Sequence, residues 1–425
     1  MTDADHLIYR GPEPLSCPEL LRRLGLNKVL NAVRCFRTPD PEARLHVLVK
    51  DNIGTDEFTT TAGSLALEKL QVPDAFCVTR LKAAGIDVFG KTVMTELAGF
   101  VTTQKSELGY SQTGGFARNP YGDFPPRGSS TGSAVAVAAG LCDAALGTET
   151  RGSLMLPGLA NGVVAFKPTR GLISRAGIVP LSSYFDTPGV MSRTPETAAW
   201  VAQCMAGTDP EDPVTQGMSA PLLTGVKPLT RPLTLAVLSP TGNPVTDAVM
   251  AKLAARLPAD TVLKRIDVAA EDFSYKLITS QDIRRGMDRF LGRYASGSTP
   301  KSFEALWRFY REHPDTHPFG MDRLDDAAAM PVMTEAEVDA VAAEATAKAR
   351  NRIDAALTAC RADFLATPVF VDWWPISGAP SITIPLGTES DGRPFGLMLG
   401  ARFGEDAALI AAARGLFDGR RISEG

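Results

Sequence analysis

The sequence has no apolar run approaching the roughly 20 residues that a membrane-spanning helix needs, and its polar start, MTDADHLIYRGPE, is unlike a secretion signal. No membrane partner is expected, and the expected location is cytoplasmic. A basic surplus is also lacking: 44 Lys and Arg against 48 Asp and Glu leave a formal net charge of -4. Nothing in that balance prepares the chain to neutralise nucleic-acid phosphates, so a small molecule is the expected ligand. The six cysteines, Cys17, Cys35, Cys77, Cys142, Cys204 and Cys360, stand far apart without a CxxC pair. Neither a disulfide framework nor a zinc knuckle is suggested, and they read as reduced core thiols. Phosphate loops of the GxxxxGK[ST] or GxGxxG kind are missing as well.

What is present is an ordinary soluble composition, 425 residues with 44% apolar and 22% charged, ample for a sizeable core. Apolar positions at helical spacing over 18–32 predict a helix ending near Asn31, and LHVLV reads as a strand running into the turn-formers Asp51, Asn52 and Gly54. DAFCVTRLKAAGIDVFGKTVM reads as helix, stop at Gly85, then strand. From Gly128 to Pro168 the order is glycine loop, helix (SAVAVAAGLCDAA), strand (ALGTE), glycine turn and strand (GVVAFKPT). Residues 209–260 read as Pro-rich and irregular, 320–360 carry a long Ala/Glu/Arg helix, and the end returns to two strands joined at Ser390-Asp391-Gly392 before a last helix. This is the pattern of an α/β fold with a mixed sheet.

The stretch PRGSSTGSAVAVAAG, residues 126–140, places Ser129 and Ser130 between glycines at the mouth of a helix. Capping the helix, binding an anion at its N-terminus, or chemistry would each use such serines. A second glycine-framed serine, Ser153 in GTETRGSLMLPG, lies 24 residues on (153 − 129) and suggests one site. A serine nucleophile needs a base. Of the four histidines, His6 is terminal, His46 alternates with apolar neighbours as a strand residue, and His313 with His317 sits in a Pro-rich surface turn, HPDTHP. The other candidate is Lys50, at the end of VLVK, where desolvation would lower its pKa.

VKDNI, TTAGS, GKTVMTEL, GSSTGSAVAVAAG, GTETRGS, VAFKPTRGLIS, DTPGVMSRT and SGAPSITIPLG…GRPFGLMLG follow one another in this order. In that order they resemble the amidase signature enzymes, strongly over about 45–207 and moderately over 362–418. The resemblance implies one amidase domain over 1–425, with a signature core at about 45–207, a variable substrate-pocket region at about 209–345 and a core return at about 362–418. It implies the amidase signature fold, a central mixed β-sheet flanked by helices on both faces. It also implies a Ser-cisSer-Lys triad of Lys50 as base, Ser129 as bridge and Ser153 as nucleophile. Ser130 would support the loop. The backbone N–H groups of Thr150, Arg151, Gly152 and Ser153 would form the oxyanion hole. With lysine as base and backbone amides as electrophile, no metal or organic cofactor is implied.

Several positions depart from the family's commonest pattern. Glu149 stands for an aspartate, Arg151 for a small residue, Met155 for an arginine, Arg127 for the glycine before GSS, and Thr131 and Glu57 for glycines. Arg151 or Arg127 lining the pocket would favour an acidic or carbonyl-rich substrate; pairing with Glu149 or facing solvent is the plainer expectation. Arg127, Ser130, Glu149 and Met155 are candidate substrate-binding residues, together with Trp373 and Trp374 in DWWPISGAP, which either wall the pocket or pack in the core. The leading function is hydrolysis of a small-molecule carboxamide through an acyl-enzyme on Ser153. A glutaminase-like subunit of an amidotransferase, an amide-forming acyltransferase and a non-catalytic binding protein are the alternatives. Assembly as a homodimer is left open.

Overall fold

The computed structural model describes residues 12–219 and 221–417; His6 lies outside them. The chain opens with α1 (Cys17–Leu24) and α2 (Asn27–Leu30), two short helices where the apolar spacing predicted one, with Asn31 in the left-handed region closing the second. Next comes β1 (Val33–Phe36), which no sequence pattern singled out, and then β2 (His46–Lys50), α3 (Phe76–Ala83) and β3 (Asp87–Thr92), as the strand and helix patterns predict. α4 (Thr131–Ala138) is shorter than the expected helix, and β4 (Ala144–Glu149) follows it.

Where a glycine turn was expected, the chain forms α5 (Met155–Ala160) before β5 (Val164–Lys167). Its Pro157 falls in the first turn, where a missing N–H removes no helical hydrogen bond, so the proline is compatible with a helix. β6 (Thr187–Ser192) and α6 (Pro195–Met205) complete the first half. The expectation that 209–260 is irregular also fails. It contains β7 (Thr234–Pro240) and α7 (Asp247–Arg256), with β8 (Val262–Val268) just beyond. The prolines flank β7, whose centre, Leu235 to Leu238, is wholly buried.

α8 (Tyr275–Tyr294), α9 (Phe303–Glu312) and α10 (Asp322–Ala329) lead to the long α11 (Glu335–Cys360). The last begins at a capping box in which Thr334 and Glu337 satisfy each other's backbone N–H. β9 (Phe364–Thr367), α12 (Trp373–Ser377), the hairpin β10 (Ser381–Thr388) and β11 (Pro394–Gly400), and α13 (Asp406–Leu416) close the chain.

The eleven strands among the described residues all join one sheet in the order β1-β3-β2-β4-β6-β5-β10-β11-β9-β7-β8. β2 runs parallel to both β3 and β4, whereas β4–β6, β6–β5 and β5–β10 are antiparallel, so the sheet is mixed. β2 is buried along its whole length, as expected of a strand covered on both faces. Val47 and Val49 enter one core with α3, α6 and α13, and Leu48 enters the other with α4 and α11. A third apolar cluster joins α8, α9 and α10 to Leu67 and Leu97. Lys50 shares the face of Leu48 by the two-residue period of a strand, which directs it toward the head of α4.

Packing is tightest where α12 meets β11: a Cβ built on Gly400 would lie 1.6 Å from the Trp374 indole nitrogen. Gly400→Ala therefore has no room without displacing a fully buried ring. It is expected to lower stability by about 3 kcal/mol, read as a fall in the urea midpoint at unchanged m-value.

Candidate active site

Lys50 is fully buried at the carboxyl end of β2. Its Nζ lies 2.7 Å from Ser129 Oγ and donates to Thr148 Oγ1 (2.8 Å) and the Thr148 carbonyl (3.3 Å). Asn52 Nδ2 donates to the same hydroxyl at 3.0 Å. Burial pulls the amine down to about 7, only partly opposed by the carboxylates of Asp186 and Glu149.

Ser129 follows a cis peptide bond at Gly128-Ser129. Its carbonyl accepts from the Thr95 N–H (3.0 Å), and the next residue begins the approach to α4. Ser130 is the structural member of the pair. Its hydroxyl donates to the Thr148 carbonyl (3.1 Å) and accepts the Thr148 N–H (3.2 Å), and its N–H donates to the Ser153 carbonyl (3.1 Å). Through that last bond the serine pair and Ser153 are joined.

Ser153 is 8% exposed, in the loop between β4 and α5. Glu149 is wholly buried and its Oε2 accepts the N–H groups of Leu154 (2.8 Å) and Met155 (3.0 Å), with the Gly152 amide adding to the pull. It satisfies donors at the start of α5 that the helix itself leaves open. Burial nevertheless holds its carboxyl above the usual range. Thr150 Oγ1 donates to Asp186 (2.5 Å), whose other oxygen accepts from Leu181 and Ser182 N–H. Gly152 has φ +85, and a Cβ there would meet the Phe370 ring at 2.7 Å, so glycine is required both by conformation and by space.

The remaining residues singled out from sequence are dispersed. Arg151 does not reach Glu149; it forms a two-pronged pair with Asp372 (2.8 and 2.7 Å). Arg127 is exposed, in the left-handed region, with its N–H donating to Glu107. Met155, Trp373 and Trp374 are buried in the core beside α4 and α11. His46 is buried in β2, its ring nitrogens facing Asp143 Oδ2 (3.3 Å) and the Asp40 carbonyl (2.9 Å). His313 is exposed, as a surface turn implies, but His317 is buried. Thr148, Asn52, Asp186 and Asp372 also touch this region, and the sequence reading passed over them. Asn52, Asp186 and Thr148 lie inside motifs already quoted, VKDNI, DTPG and GTETRGS, and Asp372 opens the quoted stretch DWWPISGAP, but nothing local marked their side chains. A cavity of about 350 Å3 has Asn52, Thr148, Thr150 and Asp186 in its wall. Among the described residues, no group of three His, Cys, Asp or Glu is placed to hold a metal ion, and no helix is long and apolar enough to cross a membrane.

A family model described as Amidase matches residues 43–410. The chain belongs to the amidase signature family. A glutamyl-tRNA(Gln) amidotransferase subunit of Haloarcula marismortui is 32% identical to this amidase over 421 residues, 88% of this chain and 95% of that protein. The corresponding subunit of Pseudothermotoga lettingae is 40% identical over 189 residues, 44% of this chain and 39% of that protein. The chain spans less than half the length of the first curated relatives it matches. The crystal structure of a peptide amidase from Stenotrophomonas maltophilia superposes with a TM-score of 0.83 at 30% identity, covering 94% of this chain and 92% of that one. The chain thus belongs to the amidase family and has the amidase signature fold.

Glu149→Ala in this amidase would leave two buried N–H groups without an acceptor. The expected loss is about 2 kcal/mol of stability, measured by chemical denaturation.

Proposed function

We propose that this amidase hydrolyses a small-molecule carboxamide through an acyl-enzyme on Ser153, with Lys50 as the base and Ser129 as the bridge. The observation that carries the reading is the 2.7 Å approach of the fully buried Lys50 amine to Ser129 Oγ. A neutral amine has two N–H bonds and one lone pair. Thr148 supplies two acceptors, its hydroxyl and its carbonyl, which leaves the lone pair for the Ser129 O–H. Ser129 gives its proton to Lys50 and takes that of Ser153, and Ser153 Oγ attacks the amide carbon. Backbone N–H groups from Thr150 to Ser153 receive the developing oxyanion. The proton returns through Ser129 to the leaving nitrogen, the C–N bond breaks, and water then repeats the relay to free the acid. The products are a carboxylate and an amine or ammonia.

The likeness to a peptide amidase supports a neutral amide as the substrate, since Arg151 has its charge matched by Asp372. The full-length likeness to an amidotransferase component supports a second reading, release of ammonia to a partner protein. Co-purification of such a partner distinguishes it from free hydrolysis.

Three results test the reading. A fluorophosphonate should add once to the unmodified protein and not at all to Ser153→Ala, and Ser153→Ala should lose on the order of 10^4-fold or more in kcat. Labelling that survives in Ser153→Ala refutes the assignment. Because the neutral amine is the working form, kcat/KM should climb tenfold per pH unit below about 7 and level off above it. The same burial makes the Lys50 ammonium destabilising: its folded pKa lies below its unfolded one, so the full cost is felt below pH 7 and fades as pH rises. Lys50→Met should therefore be inactive without a lower thermal midpoint at pH 6.

A further inference from the structure

Arg151 lies between Thr150 and Gly152 in the loop that leads to Ser153, and its side chain makes two contacts with distant parts of the chain. The guanidinium takes both carboxylate oxygens of Asp372, at 2.8 and 2.7 Å, on the segment that leads into α12. Its guanidinium carbon lies over the Tyr275 ring, 4.9 Å from the ring centroid, and that ring stacks in turn on Phe185 at 5.9 Å. Two N–H bonds in one plane fix the orientation of a guanidinium as well as its position, and the ring beneath it adds a second point of contact. One residue further on, Gly152 rests against Phe370, from the same segment as Asp372. The backbone carrying Thr150, Arg151, Gly152 and Ser153 is thus held from the outside by Tyr275 and by Phe370 and Asp372, the last two more than 200 positions later in sequence. From the inside it is held by Asp186 at Thr150 and by Glu149 at Leu154 and Met155.

We propose that the Arg151–Asp372 pair is a positioning element for amide hydrolysis, pinning the oxyanion-binding backbone of residues 150–153 to the C-terminal return of the chain. The inference rests on Ser153 as the nucleophile. Arg151 is 41% and Asp372 20% exposed, so water screens the pair and its share of folding stability is small. Its effect falls on the geometry of N–H groups that must meet an oxygen to within a few tenths of an ångström. That demand arises only in the transition state, so kcat carries the loss and KM does not.

The experiment compares Arg151→Met, Asp372→Asn and the double variant with the unmodified enzyme. Steady-state kinetics on one neutral amide are measured together with the fluorophosphonate labelling rate and the thermal midpoint. Each single variant should lose roughly 10-fold in kcat with KM within about twofold, at nearly unchanged midpoint, and the double variant should be no worse than the poorer single one. The labelling rate should fall in parallel with kcat, because the phosphonyl oxygen uses the same N–H groups. A kcat within twofold of the unmodified enzyme in both single variants overturns the proposal. So does a multiplicative loss in the double variant, or a loss confined to KM. Failure of the nucleophile assignment is separate: labelling would then persist in Ser153→Ala whatever Arg151 does. If Arg151→Met folds poorly, Asp372→Asn, which keeps shape and volume, decides alone.

Discussion

An amine can act as a base near neutral pH only if something holds it off its usual charged form, and in this chain that something is burial at the end of β2. Lys50 is enclosed between α4 and the sheet, and the nearest carboxylates, Asp186 and Glu149, are too indirect to restore its ordinary pKa. Were either placed against Nζ, the amine would stay protonated and the serines would have no base. His46, on the same strand and face, is committed to Asp143 and the Asp40 carbonyl.

Burying an amine is unfavourable, so the surroundings must be rigid enough to keep it there. Thr148 supplies that rigidity. Its hydroxyl and carbonyl accept from Lys50, and its hydroxyl also accepts from Asn52. Its backbone N–H and carbonyl are both tied to the Ser130 hydroxyl. One residue therefore couples Lys50, the Ser129–Ser130 loop and β4. Three carboxylates do the corresponding work for the loop that carries Ser153, each from a different direction: Glu149 from within β4, Asp186 from just before β6, and Asp372 from the approach to α12.

Much of this was legible in the sequence because the informative signals are local. VLVK announces a buried strand ending in lysine, and two glycine-framed serines announce close backbone approach. What could not be read is local structure decided by distant packing. α5 contains Pro157 and Gly158, poor helix formers, yet forms because Glu149 caps it and β10 and β11 cover it. β7 hides among prolines, and only its pairing with β8 and β9 shows it to be a strand. The partner of Arg151 was equally out of reach. Glu149, two residues away, was the natural guess, but that carboxylate faces the backbone and Asp372 lies 221 positions on.

The placement of the site follows from strand direction. β2 and β4 are parallel neighbours, so their carboxyl ends, carrying Lys50 and Glu149, emerge side by side. Outside the carboxyl ends of parallel strands is where α/β sheets leave room for ligands. β6 is antiparallel to β4 and pairs Thr187 with Glu149, so the residue just before it, Asp186, comes to the same end and faces Thr150. A fully parallel sheet would have delivered a third carboxyl end there and sent Asp186 to the far side. The antiparallel turn thus gives the loop of residues 150–153 its inner anchor, and only the outer one is left to the C-terminal return.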